Sequence, residues 1–145
     1  MSHVVAIELV VKDLDARAVA AHQLGAELKR GQKTYKWFGR WMQDYNGKDA
    51  AYRKVDPKDY GKCEHAISHP DCGYEIGLVK QPDGFLIVAD EWHTGGLTNA
   101  FGPGMAKLKQ RYGAVVAAKT MRRQGWMVKE KLDAETGDLR LVCTR

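Results

Sequence analysis

The hydrophobic period of this chain switches between two and about three and a half in a fixed order, and that order constrains the fold more than any other feature. Val5, Ile7, Leu9 and Val11 alternate with Val4, Ala6, Glu8 and Val10, which predicts a strand. Asp13 or Asp15 then offers a helix cap, Ala16 to Leu24 follow at helical spacing, and Gly25 stands where a left-handed cap residue is cheapest. Tyr74, Ile76 and Leu78 return to period two, Gln81-Pro82-Asp83-Gly84 predicts a tight turn, and Phe85 to Ala89 is continuously apolar, as a buried central strand would be.

From Pro103 onward, Met105, Leu108, Tyr112, Val115 and Val116 recur at helical spacing until Gln124-Gly125. Val128, Glu130 and Leu132, then Leu139, Leu141 and Cys143, predict a closing hairpin around residues 133–138. Successive hairpins with two interposed helices imply an α+β fold: an antiparallel sheet with two helices packed on one face. Residues 28–38 suggest one or two strands around Gly31. Residues 39–72 keep no sustained period and are expected as a long inserted loop or hairpin.

With 145 residues, 44% hydrophobic and 28% charged, the chain is expected to form one domain spanning 1–145, with a basic and aromatic insertion at about 39–72. No stretch approaches the apolar length of a membrane span, and Met1-Ser2-His3-Val4 lacks the basic segment and apolar core of a secretory signal. A cytoplasmic location is expected, and three cysteines, an odd and sparse set, fit reduced thiols.

The net charge of +5 is segregated. Residues 29–62 carry ten basic against four acidic side chains, residues 92–129 seven basic against none, and residues 63–91 one basic against six acidic. Two basic segments of this kind point to an anionic partner.

Met1-Ser2-His3, Lys12-Asp13-Leu14-Asp15, Leu24-Gly25, Gly73-Tyr74-Glu75-Ile76-Gly77, Val88-Ala89-Asp90-Glu91-Trp92, Gln110-Arg111-Tyr112, Gln124-Gly125 and Gly137-Asp138-Leu139-Arg140-Leu141-Val142 occur in this order. Together they resemble the hypothetical chloroplast reading frame thirty-five family, small domains of unknown function in plastids, cyanobacteria, other bacteria and bacteriophages. The resemblance covers roughly residues 1–28 and 73–145. It implies a small α+β domain and supplies no catalytic set. Residues 31–72 are longer, more basic and more aromatic than the plastid pattern and look like the phage-borne relatives, so a phage origin, with the host cytoplasm as the location, is an expectation of the resemblance.

Three constellations are candidates for chemistry. Residues 29–62 hold seven of the thirteen aromatics, interleaved with Lys33, Lys36, Arg40, Arg53 and Lys54. Such a mixture suits base stacking with phosphate neutralisation, and equally a protein contact centred on Trp37 and Trp41. Lys107, Arg111 and Arg122 share a face of the second helix and extend the basic set; Lys119 and Arg123 fall on its apolar side, where they must snorkel or pair.

Cys63, His65, His69 and Cys72 place two thiols and two imidazoles within ten residues. Zinc is the cofactor that these groups would suit, although their spacing departs from the usual pairs of close ligands, and otherwise no cofactor is expected. Asp90-Glu91-Trp92-His93 at a strand end could exchange protons, and Gly102-Pro103-Gly104 could offer amides to an anion; neither is joined to a nucleophile or a phosphate-loop lysine, so no catalytic set is assigned. The expected role is a non-catalytic accessory or regulatory protein that binds an anionic macromolecule, foremost a protein, with nucleic acid as the alternative and a small enzyme or metal-stabilised domain as the third. Nucleic-acid binding requires Lys33, Lys36, Arg40, Arg53, Lys54, Lys107, Arg111 and Arg122 to form one surface.

Overall fold

The computed structural model describes residues 4–37, 60–91, 95–136 and 139–145, with backbone alone for 4–10. Strand β1 (Val4–Val11) leads into helix α1 (Leu14–Gln23), then β2 (Glu27–Arg30), β3 (His65–Ser68), β4 (Ile76–Gln81) and β5 (Gly84–Asp90). Helix α2 (Leu97–Phe101), a 3₁₀ turn (Pro103–Met105), helix α3 (Ala106–Arg123) and the hairpin β6 (Met127–Leu132) to β7 (Leu139–Thr144) complete the chain. The first five strands form one antiparallel sheet in the order β1-β5-β4-β3-β2, and β6-β7 form a second, two-stranded sheet. The fold is α+β, as the periodicity predicts.

Alternation along β5 divides the interior in two. Ile87 and Ala89, with Ile67, Ile76 and Leu78, point to the face covered by α1, α2 and α3, where they meet Ala16, Ala20, Phe101, Leu108 and Tyr112. Leu86 and Val88, with Ala66, point to the opposite face and are buried by Tyr35 and Cys63, with Trp37 and Tyr60 packed behind. Both faces of the central strands are therefore dry, which is why β5 reads as an unbroken apolar run.

Local chemistry explains the element ends. The Asp13 carboxylate accepts the Ala16 N–H at 3.0 Å and caps α1. Gly25, at φ +78°, ends it. Lys119, on the apolar side of α3, pairs with Asp13 at 2.8 Å and so ties α3 to the start of α1.

One expectation needs correction. The span 39–72 is not loop to its end, because His65–Ser68 forms β3, paired with β2 on one side and β4 on the other. Four residues with Ala66 facing one covered side and Ile67 the other carry no polar alternation, so period two is invisible there. Of the one or two strands expected around Gly31, the described residues hold one, Glu27–Arg30, with a bridge from Thr34 to Lys62 beyond it.

Candidate functional site

The described part of the basic and aromatic segment is built into the fold. Tyr35 is a core residue, its ring lying against Gly77 of β4, where a Cβ would overlap it. Trp37 packs edge-on to Tyr60 with ring centroids 5.7 Å apart and brings its indole N–H edge over Gly61. These rings cover the sheet, so the described aromatics are committed to packing before any base can stack on them. Arg40, Trp41, Arg53 and Lys54 lie outside the described residues.

The basic candidates that are described divide between two sides of the molecule. Lys33 and Lys36 flank Tyr35 on the layer behind the sheet, and Lys33 pairs with Glu64 at 2.7 Å. Lys107, Arg111 and Arg122 ride on α3, across the sheet from them. Lys107 and Arg122 are exposed, whereas Arg111 is half-buried and faces Glu130 of β6 at 3.7 Å. The five do not form the single surface that the nucleic-acid expectation requires.

The four candidate zinc ligands are also kept apart. Cys63 is buried behind the sheet, where its thiol donates to the Gln32 carbonyl at 3.3 Å and burial pushes its pKa up to about 11. His65 is on the helix-facing side, edge-on to Phe85, with Nδ1 accepting the Gly31 N–H at 2.9 Å; burial lowers its pKa. His69 accepts the Asp71 N–H through Nδ1 at 3.0 Å, which leaves Nε2 to donate to the Leu24 carbonyl at 3.2 Å. Among the described residues no three His, Cys, Asp or Glu side chains are grouped to hold a metal ion. The sheet separates Cys63 from His65, and both nitrogens of His69 are already bound.

The anion cradle suggested at Gly102-Pro103-Gly104 is filled from within. The Glu91 carboxylate accepts the Gly104 N–H at 2.8 Å at the approach to α3. Asp90 is fully buried, and Trp92 and His93 lie outside the described residues.

Two features escape the sequence reading. The first is the outer face of the β6-β7 hairpin. Its register places Met127 opposite Thr144, Lys129 opposite Val142 and Lys131 opposite Arg140. All six are exposed, Met127 at 64% and Val142 at 37%, while Glu130 on the other face turns toward Arg111 of α3. Three cations and two apolar side chains thus share a face that carries no carboxylate among the described residues. Segment charge hides this, because 130–145 sums to nearly neutral; the alternation of Lys129 and Lys131 is the signal that could have found it.

The second is a groove of about 530 Å³ behind β2 and β3. Lys36 meets His69, Cys72 and Glu75 there, so parts of two separate sequence constellations converge. Burial raises the Cys72 thiol pKa. The Glu75 carboxylate, 7% exposed, accepts from Gln32 Nε2 and from the Lys36 N–H, both at 3.1 Å and both through Oε1. Nothing in the local sequence around Glu75 signals this, since its donors lie some forty positions away.

A family model described as a protein of unknown function (DUF1257) matches residues 20–142. No curated protein and no solved structure matches.

Proposed function

The chain belongs to the DUF1257 family, and from that premise we propose a non-catalytic accessory or regulatory protein that binds an acidic protein surface through the outer face of β6 and β7. The observation that carries this reading is the exposure of Met127 and Val142 among Lys129, Lys131 and Arg140. Apolar side chains ringed by cations suit a partner that buries hydrophobic area and supplies carboxylates at the rim. Arg122 and Arg123, exposed at the end of α3 just before β6, add to the same charge.

Nucleic acid is the second reading. A two-stranded ribbon fits the major groove of duplex DNA, and three cations on a face with no acid among the described residues would neutralise phosphates. The packing of Tyr35 and Trp37 counts against base stacking on those rings.

The finer resemblance, to the chloroplast reading frame thirty-five family and its phage-borne relatives, rests on the motifs quoted above. A reducing cytoplasm, that of the host for a phage protein, is part of the proposal and is supported by three free cysteines. Among the described residues no helix is long and apolar enough to cross a membrane.

Fluorescence anisotropy tests the proposal with an acidic amphipathic peptide of alternating Glu and Leu and, in parallel, single-stranded and duplex DNA and RNA, each at several salt concentrations. The expected result is salt-sensitive peptide binding that weakens in a Lys129→Ala, Lys131→Ala, Arg140→Ala variant. Tighter, salt-sensitive binding to a nucleic acid would put the second reading first. Absence of binding to every probe at low salt, or equal binding by the variant, overturns both.

A further inference from the structure

The groove behind β2 and β3 carries charges of both signs that the hairpin reading leaves unused. Gly25 and Ala26 form one wall, Ser68 to Pro70 another, and Glu27 and Lys29 project from β2 on the side that Ser68 and Ala66 share. Glu75 lies at its buried end. Both donors to this carboxylate among the described residues, Gln32 Nε2 and the Lys36 N–H, fall on Oε1. A carboxylate that lines a groove with one oxygen already held offers the other to a cationic donor that enters.

The lysines supply the complement. Lys29 and Lys36 line the same groove, both are exposed, and neither pairs with a carboxylate among the described residues. The walls are held before any ligand arrives. His69 ties its loop to the end of α1 through Leu24 and to Asp71 on the other side, the Cys72 N–H donates to the His69 carbonyl at 3.0 Å, and the Glu75 N–H donates to the Lys36 carbonyl at 2.8 Å. A pre-formed polar groove of this volume has room for a small molecule.

We propose that this groove binds a small zwitterion of the α-amino-acid or dipeptide class, its ammonium on Glu75 and its carboxylate on Lys29 and Lys36. An anion alone would share the groove with Glu75 and Glu27, and a cation alone would leave both lysines unanswered. A molecule with both charges satisfies each group. The site is separate from the outer face of the hairpin and does not depend on what that face binds.

Protein-observed NMR with a panel of free amino acids and dipeptides of small, apolar, aromatic and charged side chains tests the proposal. The expected result is saturable shifts at the amides of Gly25, Ala26, Glu27 and residues 68–75 for at least one dipeptide. Its N-acetylated and C-amidated forms should each bind about tenfold more weakly, having lost one charge. Glu75→Gln keeps an oxygen for the Gln32 and Lys36 donors and should weaken binding by a similar factor; Lys29→Ala, at an exposed position, does the same with no demand on folding. The triple hairpin variant should bind the dipeptide normally, which separates failure of this site from failure of the acidic-partner reading. The proposal falls if no panel member gives saturable shifts, if the capped forms bind equally well, or if both variants bind as the parent does.

Discussion

The guanidinium carbon of Arg17 stands 4.4 Å from the centroid of the Tyr112 ring, and the hydroxyl of that same tyrosine accepts the backbone N–H groups of Lys12 and Asp13 at 3.1 and 3.2 Å. One side chain of α3 thus holds both the corner between β1 and α1 and the charged residue buried in the helix interface. Lys119, two turns along α3, reaches Asp13 from the same helix. The face of the sheet that carries the main core is closed by this set.

Tyr112→Phe removes the acceptor and leaves two partly buried N–H groups without it. A loss of about 1 to 3 kcal/mol is expected, measured by urea unfolding with an unchanged dependence on denaturant concentration. A change of a few tenths would mean that the two donors find other partners.

Arg17 is fully buried, its Nε and Nη2 take no hydrogen bond among the described residues, Nη1 reaches the Leu108 carbonyl at 3.5 Å, and burial lowers its pKa to about 10. Arg17→Met keeps most of the volume without the charge, so stability is expected to hold or to rise by about 1 to 2 kcal/mol. Arg17→Ala leaves a cavity and should cost about 2 to 5 kcal/mol. Thermal unfolding of the pair tests this; a large loss in the Met variant would show that the charge itself is needed.

Asp13 has its pKa lowered, first by the Lys119 hydrogen bond and then by the Ala16 N–H. Its folded value lies below its unfolded one, so its contribution is complete above the ordinary carboxylate range and is lost as the pH falls through the folded value. Lys119→Met should flatten the acid limb of the stability profile, while Asp13→Ala loses cap and ion pair together, about 1 to 2 kcal/mol at neutral pH. Equal acid limbs in parent and Lys119→Met would contradict the pairing.

Gly77 has no room for a methyl group because the Tyr35 ring occupies the position of its Cβ. Gly77→Ala should destabilise by about 1 to 3 kcal/mol. Pairing it with Tyr35→Leu should recover part of the loss, and a double-mutant cycle by chemical denaturation measures the coupling. Additive losses would place the strain elsewhere.

Burial raises the Cys63 thiol to about 11, so it stays protonated at neutral pH and reacts slowly. Alkylation followed by mass spectrometry should find Cys63 protected in the native protein and modified after unfolding. The thiol pKa is higher folded than unfolded, so stability falls as pH rises from the ordinary thiol value of 9.0 toward about 11. Cys63→Ala should weaken that alkaline decline. Rapid native labelling of Cys63 would refute the buried placement.

Much of the fold is legible in the chain alone. Period two located β1, β4 and the terminal hairpin, helical spacing located α1 and α3, and the Pro-Asp step located the β4-β5 turn. The elements that escaped are short: β3 at four residues and α2 at five are below the length at which either period repeats often enough to register. The pairing of Lys119 was also readable, since a cation on the apolar side of a helix must find an anion or reach water.

Sequence alone determined which residues alternate, where helices cap and how charge is spread along the chain, because those depend on neighbours within a few positions. Tertiary structure alone decided which charges share a surface. It put the sheet between Lys36 and Lys107, separated Cys63 from His65, turned Glu91 onto Gly104, and brought Lys36, His69 and Glu75 to one groove. A sheet strand sends consecutive side chains to opposite faces, and antiparallel pairing sets distant segments side by side. A cluster in sequence can therefore be dispersed in space, and a site assembled from residues some forty positions apart.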